Sequence, residues 1–271
     1  MTVPLRRALR VRPGLDLGLC EAGRGSPVLV LHGGPGPDSI APLVGHLASE
    51  HRVLAPTHPG WDGTVRPDDL DSVPALAAVY LELLAHLGLN DVTVIGTSFG
   101  GWVAAQTVLD DHESRISRLV LMDAVGPVVP GRQITVPAGP PAWTPATPAG
   151  GPAQRGGPAQ RGGPAQRGGP APRGGPSAQS MAAMRAYTGP DMADAGLLPR
   201  CSAITCPVLV LWGANDTVVG PDFGRAYAAA FPHGRFELIP GAGHLPIREE
   251  PEAVFTLLDS FLTPQGPAAG H

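Results

Sequence analysis

Short aliphatic runs alternate with amphipathic stretches along most of this chain, and few folds accept that pattern. The runs are Leu9–Val11, Leu15–Cys20, Pro27–His32, Arg52–Ala55, Val92–Gly96, Arg118–Asp123, Val208–Gly213 and Arg235–Pro240. Several, such as VLVLWG from Val208, are continuous Val/Leu segments, as expected of parallel strands buried on both faces. Helical stretches lie between them at Ile40–Glu50, Val73–Leu87, Gly100–Asp110, Pro221–Ala230 and Pro251–Phe261. This alternation predicts an α/β fold, an open and mostly parallel sheet covered by helices on both sides. No GxGxxG or GxxxxGK[ST] follows a strand, so a plain nucleotide binder lacks support.

One interval breaks the pattern. GGPAQR begins at Gly150, Gly156 and Gly162, GGPAPR at Gly168, and a decayed GGPSAQ at Gly174. Between Pro137 and Ser180, 11 Pro and 11 Gly make up half of the 44 residues, and Trp143 is the only large apolar side chain. Such a segment cannot bury enough surface to offset an ordering cost of ~1–2 kcal/mol per residue, and it reads as disordered. The predicted organisation is a core in two parts, 1–128 and 199–271, with a disordered C-terminal tail on the second. An insertion at 129–198 separates them, low in complexity over 137–180 with a short helical remnant at 181–198.

The chemistry sits at the strand ends. VTVIG runs into Gly96-Thr97-Ser98-Phe99-Gly100, a G-x-S-x-G between a buried strand and a helix. That tight turn strains the serine and lifts its Oγ from the sheet edge, where the helix N-terminus favours developing negative charge. A lone serine is a poor nucleophile and needs a base held by a third group. VLVLWG leads to Asp216 and RFELIP leads to His244, giving the order Ser98, Asp216, His244 expected for this turn. Asp123, which also ends a strand, is the rival acid. Upstream, PVLVLH empties into His32-Gly33-Gly34-Pro35-Gly36, a corner able to offer the Gly34 N–H, opposite that of Phe99, to an oxyanion. Gly33 and Trp61 are candidates for the substrate wall, although Trp61 and Trp102 also read as packing residues. His32 reads as a brace for its loop.

Together these segments resemble the α/β-hydrolase superfamily, in particular its capped esterase, lactonase and C–C hydrolase-like branch, over about 1–128 and 197–262. His58-Pro59-Gly60-Trp61-Asp62-Gly63 resembles the loop after the fourth strand in that superfamily. The resemblance implies an eight-stranded, mainly parallel sheet. It also implies a serine hydrolase of small esters, lactones or thioesters, working through an acyl-enzyme on Ser98. The same triad serves acyltransferases and C–C bond hydrolases, and a degenerate fold used only for binding is the remaining alternative. Related enzymes place a helical cap where this chain carries its repeat.

Composition narrows the partners. The net charge is −4, and all 19 basic residues are arginine. Six of those lie between Ala124 and Pro190 without an acid, leaving 13 − 23 = −10 elsewhere. The repeat arginines lack interleaved aromatics and are widely spaced, so no nucleic-acid partner is expected. Three cysteines (Cys20, Cys201, Cys206) are too few for a disulfide framework, which points to a reducing, cytoplasmic compartment. No cofactor, metal, leader or membrane segment is expected, and the expected partner is a small acyl substrate. Oligomeric state is not legible.

Overall fold

The computed structural model describes residues 4–132, 134 and 176–263. Eight strands form one sheet: β1 Leu5–Arg12, β2 Leu15–Ala22, β3 Ser26–Leu31, β4 His51–Pro56, β5 Val92–Thr97, β6 Ile116–Met122, β7 Val208–Gly213 and β8 Gly234–Ile239. Their spatial order is β1-β2-β4-β3-β5-β6-β7-β8. β2 is antiparallel to β1 and β4, and every other pair is parallel. The chemistry of each strand follows its place. β5 and β7 are inside the sheet and buried almost throughout, whereas β1 is an exposed edge. That edge is longer than its apolar core Leu9–Val11 suggested, because Arg7 and Arg10 pair across the hairpin with Glu21 and Asp16.

Helices cover both faces. On one side lie α2 (Val73–His86), α3 (Phe99–Leu109) and α6 (Pro221–Ala229); on the other lie α1 (Ala41–Leu47) and α8 (Pro251–Leu262). Ser72 caps α2 by accepting the Ala75 N–H at 3.3 Å, and Gly88 ends it with a positive φ of 62°. In α8 the buried residues are Val254, Leu258 and Leu262, one per turn, each contributing about 1.5–3 kcal/mol if fully buried. α3 is enclosed on nearly all sides from Phe99 to Thr107, and Gly100, Gly101, Ala104 and Ala105 let it press onto the sheet. The carboxyl ends of β3, β5, β7 and β8 therefore open on one rim.

Residues 137–175 of the low-complexity stretch lie outside the described residues. From Pro176 the chain forms α4 (Ala178–Thr188), with Ser177 accepting the Ser180 N–H at 3.1 Å as its cap. The expected helical remnant at 181–198 is corrected in two respects. It starts inside the stretch read as disordered, because Ser177 supplies a cap. It is also not continuous, because Gly189 (φ 72°) and Pro190 end it before the short α5 (Leu197–Arg200). Asp194 ties this segment to the chain just after β6 through a bridge to Pro127.

Candidate active site

The turn after β5 carries Ser98 at φ 50° and ψ −118°. A non-glycine residue there is strained, and such strain persists only where the surroundings enforce it. Here they do. A Cβ on Gly96 would lie 2.2 Å from the Gly100 carbonyl oxygen, and one on Gly100 would lie 2.3 Å from that of Leu31. The Ser98 N–H donates to the Met122 carbonyl at 2.9 Å, while its own carbonyl accepts from Gly101 and Val125. β6 thus clamps the turn from one side and β3 from the other.

Ser98 Oγ lies 3.0 Å from His244 Nε2, and His244 Nδ1 lies 2.8 Å from Asp216 Oδ2. An ionised carboxylate only accepts, so Nδ1 carries the proton and Nε2 is free to take the serine's. Asp216 Oδ1 accepts the N–H groups of Val218 at 2.8 Å and Val219 at 3.1 Å. Its side chain has no exposure, against 19% for that of His244. The acid is therefore fixed and the base accessible. A cavity of about 20 Å³ touches Ser98, His244, Gly33 and Ser39, room for about one water.

On the opposite side, the His32–Gly36 loop is set by buried side chains. His32 Nδ1 donates to the Gly33 carbonyl at 2.8 Å, and His32 Nε2 accepts the His58 N–H at 3.0 Å. His58 Nε2 donates to the His32 carbonyl at 2.8 Å, and Tyr80 hydroxyl donates to His58 Nδ1. Each imidazole thus makes one donor and one acceptor contact, the pattern of a neutral ring. Burial pushes His32 down to about 4 and, with the neighbouring His32, holds His58 well below the ordinary histidine value. The Gly33 carbonyl belongs to the same trans peptide as the Gly34 N–H, so holding one toward His32 aims the other away from it. Trp61 fixes the next peptide by donating its indole N–H to the Gly34 carbonyl at 3.0 Å. Gly33 is pressed against Ser98, where an added Cβ would stand 3.0 Å from the serine Cβ.

Residues 28–257 match the family described as the alpha/beta hydrolase family. The chain belongs to that family. Among its relatives, this α/β-hydrolase is 26% identical over 283 aligned residues to the uncharacterized protein Rv2715 of Mycobacterium tuberculosis, covering 97% of this chain and 80% of that one. It is 36% identical over 119 residues to 2-hydroxy-6-oxo-2,4-heptadienoate hydrolase of Pseudomonas putida, 42% of each chain. Its fold is shared with the 2-hydroxy-6-oxo-6-phenylhexa-2,4-dienoate hydrolase of Rhodococcus sp. strain RHA1, with a TM-score of 0.71, 17% identity, and coverage of 97% of this chain and 100% of that one. Family and geometry together support a serine-hydrolase mechanism on small substrates.

Two further placements matter for this α/β-hydrolase. Trp61, expected at the substrate wall, is fully buried, with its ring stacked on Phe99 at 5.6 Å between centroids. Asp123, the rival acid, accepts the Gly213 N–H on its Oδ1 at 2.8 Å and leaves His244 Nδ1 to Asp216. Asp123, Asp216 and His244 are a trio of metal-type donors grouped within 4.8 Å, but both ring nitrogens of His244 are engaged within the triad. Tyr80 and Tyr187 went unrecognised in the sequence, being aromatic positions on amphipathic helices. Tyr187 reaches from α4 to donate to the Pro59 carbonyl at 3.0 Å, so the segment after the repeat braces the His58 loop. Among the described residues, no helix is long and apolar enough to cross a membrane.

Proposed function

We propose that this α/β-hydrolase cleaves small carboxylic esters, lactones or thioesters through an acyl-enzyme on Ser98. The unbroken line from Ser98 Oγ through His244 to Asp216, with contacts of 3.0 and 2.8 Å, carries the reading. His244 Nε2 takes the Ser98 proton as Oγ bonds to the acyl carbon, and the carbonyl π electrons move onto oxygen. Collapse expels the leaving group, which receives that proton from His244. Water then loses a proton to His244 as it attacks the acyl carbon; collapse breaks the bond to Ser98 Oγ, which takes that proton back from His244 as the acid leaves. Asp216 holds the ring through Nδ1 and stabilises the imidazolium.

The Gly34 and Phe99 N–H groups meet the oxyanion, a contribution typically of ~100–1,000-fold per donor. Gly33 passes close to the acyl group. Trp61 acts on the loop from behind, through the Gly34 peptide. The three free cysteines support a reducing, cytoplasmic setting. Kinship with the P. putida hydrolase favours C–C bond cleavage of a vinylogous acid as the second reading.

A panel of p-nitrophenyl esters, lactones, thioesters and a 2-hydroxy-6-oxo-dienoate separates these readings. Ser98-dependent turnover of esters, lactones or thioesters, lost in Ser98→Ala, is expected. Turnover of the dienoate alone would favour the second reading, and no Ser98-dependent turnover of any would leave a binding role.

A further inference from the structure

Asp123 follows the last residue of β6, beside β7, and the relay above gives its side chain no task. It is 1% exposed and takes a positive φ of 44°. Oδ1 accepts the Gly213 N–H, while the buried Oδ2 meets no hydrogen-bond donor among the described residues. Yet a carboxylate oxygen of Asp123, one of Asp216 and a ring nitrogen of His244 all lie within 4.8 Å of one another. Two ionised carboxylates this close in a dry site repel strongly, so one keeps a proton. Asp216 is built to carry the charge, with two backbone amides and the His244 N–H on its oxygens. Asp123 has a single amide.

We propose that Asp123 is a positioning residue that holds a proton on Oδ2 and donates it to the Asp216 carboxylate. The pair, with a net charge of −1, then sets the orientation and basicity of His244. This rests on the triad reading above. Its physical support is that burial, and next the charge of Asp216, push the Asp123 carboxyl well above the carboxylate range, with the Gly213 amide opposing. The titratable groups described as facing it are Asp216 after β7, His244 after β8 and Glu249 on the short helix Pro246–Glu249.

The test is an NMR titration of the His244 imidazole in the full chain, for the wild type, Asp123→Asn and Asp123→Gly. Asparagine tolerates the positive φ, keeps an acceptor for Gly213, donates toward Asp216 and cannot ionise. Its His244 midpoint is expected within about 0.3 unit of wild type, because the charge of the pair is unchanged. Glycine keeps the backbone and removes the donor. It is expected to raise the midpoint by about 0.5–1 unit and slow fluorophosphonate capture about tenfold per folded molecule. A midpoint about one unit lower in Asp123→Asn would show an ionised Asp123 and overturn the proposal. So would a folded Asp123→Gly protein with unchanged midpoint and capture rate, since Asp123 would then merely pack. If the glycine variant does not fold, the asparagine midpoint decides. Absence of wild-type capture would sink the hydrolase reading, while the titration would still locate the proton.

Discussion

The two flanks of the site are held by different physics. On the Ser98 side, glycines and neighbouring backbone force the turn into one shape, and the forcing atoms are carbonyls of Gly100 and Leu31. On the Gly34 side, the loop takes its shape from hydrogen bonds among His32, His58, Trp61 and Tyr80. Steric enforcement is indifferent to pH. A hydrogen-bond network built on neutral imidazoles is not, so acid should loosen one flank and leave the other shaped.

The largest expected effect lies on the nucleophile. Ser98→Ala is expected to lower kcat/KM about 10,000-fold or more, leaving the melting temperature near that of wild type. Gly100→Ala probes the steric flank, since its Cβ has no room against the β3 backbone. Calorimetry should find the variant about 3 kcal/mol less stable, a fall of roughly 6–10 °C. An unchanged melting temperature would show that the turn yields easily and would remove the contrast.

The network flank is expected to respond to acid. An unfolded chain protonates its histidines near 6.5, whereas buried His32 resists until about 4. Between those values unfolding takes up a proton, so this stabilising contribution is present above pH 6.5 and is lost as pH falls toward 4. The loss from His32 is on the order of 3 kcal/mol, and His58 acts in the same direction. Urea titrations across that range would measure it. His32→Asn, which keeps a donor toward Gly33 but does not titrate, should flatten the slope. A slope unaltered by that change would place the acid sensitivity elsewhere.

The smallest effect is expected from Tyr80→Phe, which strands the buried His58 Nδ1 as an unpaired acceptor. About 1–3 kcal/mol of stability should go, with a modest loss of kcat and little change in the Ser98 turn. Equal damage to both flanks would mean that they form one unit.

The same difference explains what the sequence showed. Ser98 and Asp216 are legible because each follows a buried aliphatic run, and His244 because it follows the partly exposed strand segment RFELIP; the order of these strands implies a common rim. The His32–Gly36 loop was legible as a turn, with His32 read only as its brace, yet what aims that loop was not. His58, Tyr80 and Tyr187 come from three separate elements and meet only once α2 and α4 are packed, so no spacing announces them. Asp123 is visible in the sequence as a strand-end acid, but there it can only be a competitor of Asp216. Its relation to Asp216 depends on β6 and β7 being neighbours, which pairs Met122 with Leu211 and sets Asp123 beside Gly213. The Trp61 indole N–H could be foreseen to need a partner, but not that the partner would be the Gly34 carbonyl.

The central claim is that Ser98 is a nucleophile activated by His244. Intact-mass and peptide-mapping spectrometry after fluorophosphonate treatment tests it directly. The account predicts a single adduct on Ser98, formed about a thousandfold or more slowly in His244→Ala. An adduct at another residue, or a Ser98 adduct formed at the same rate without His244, would contradict it.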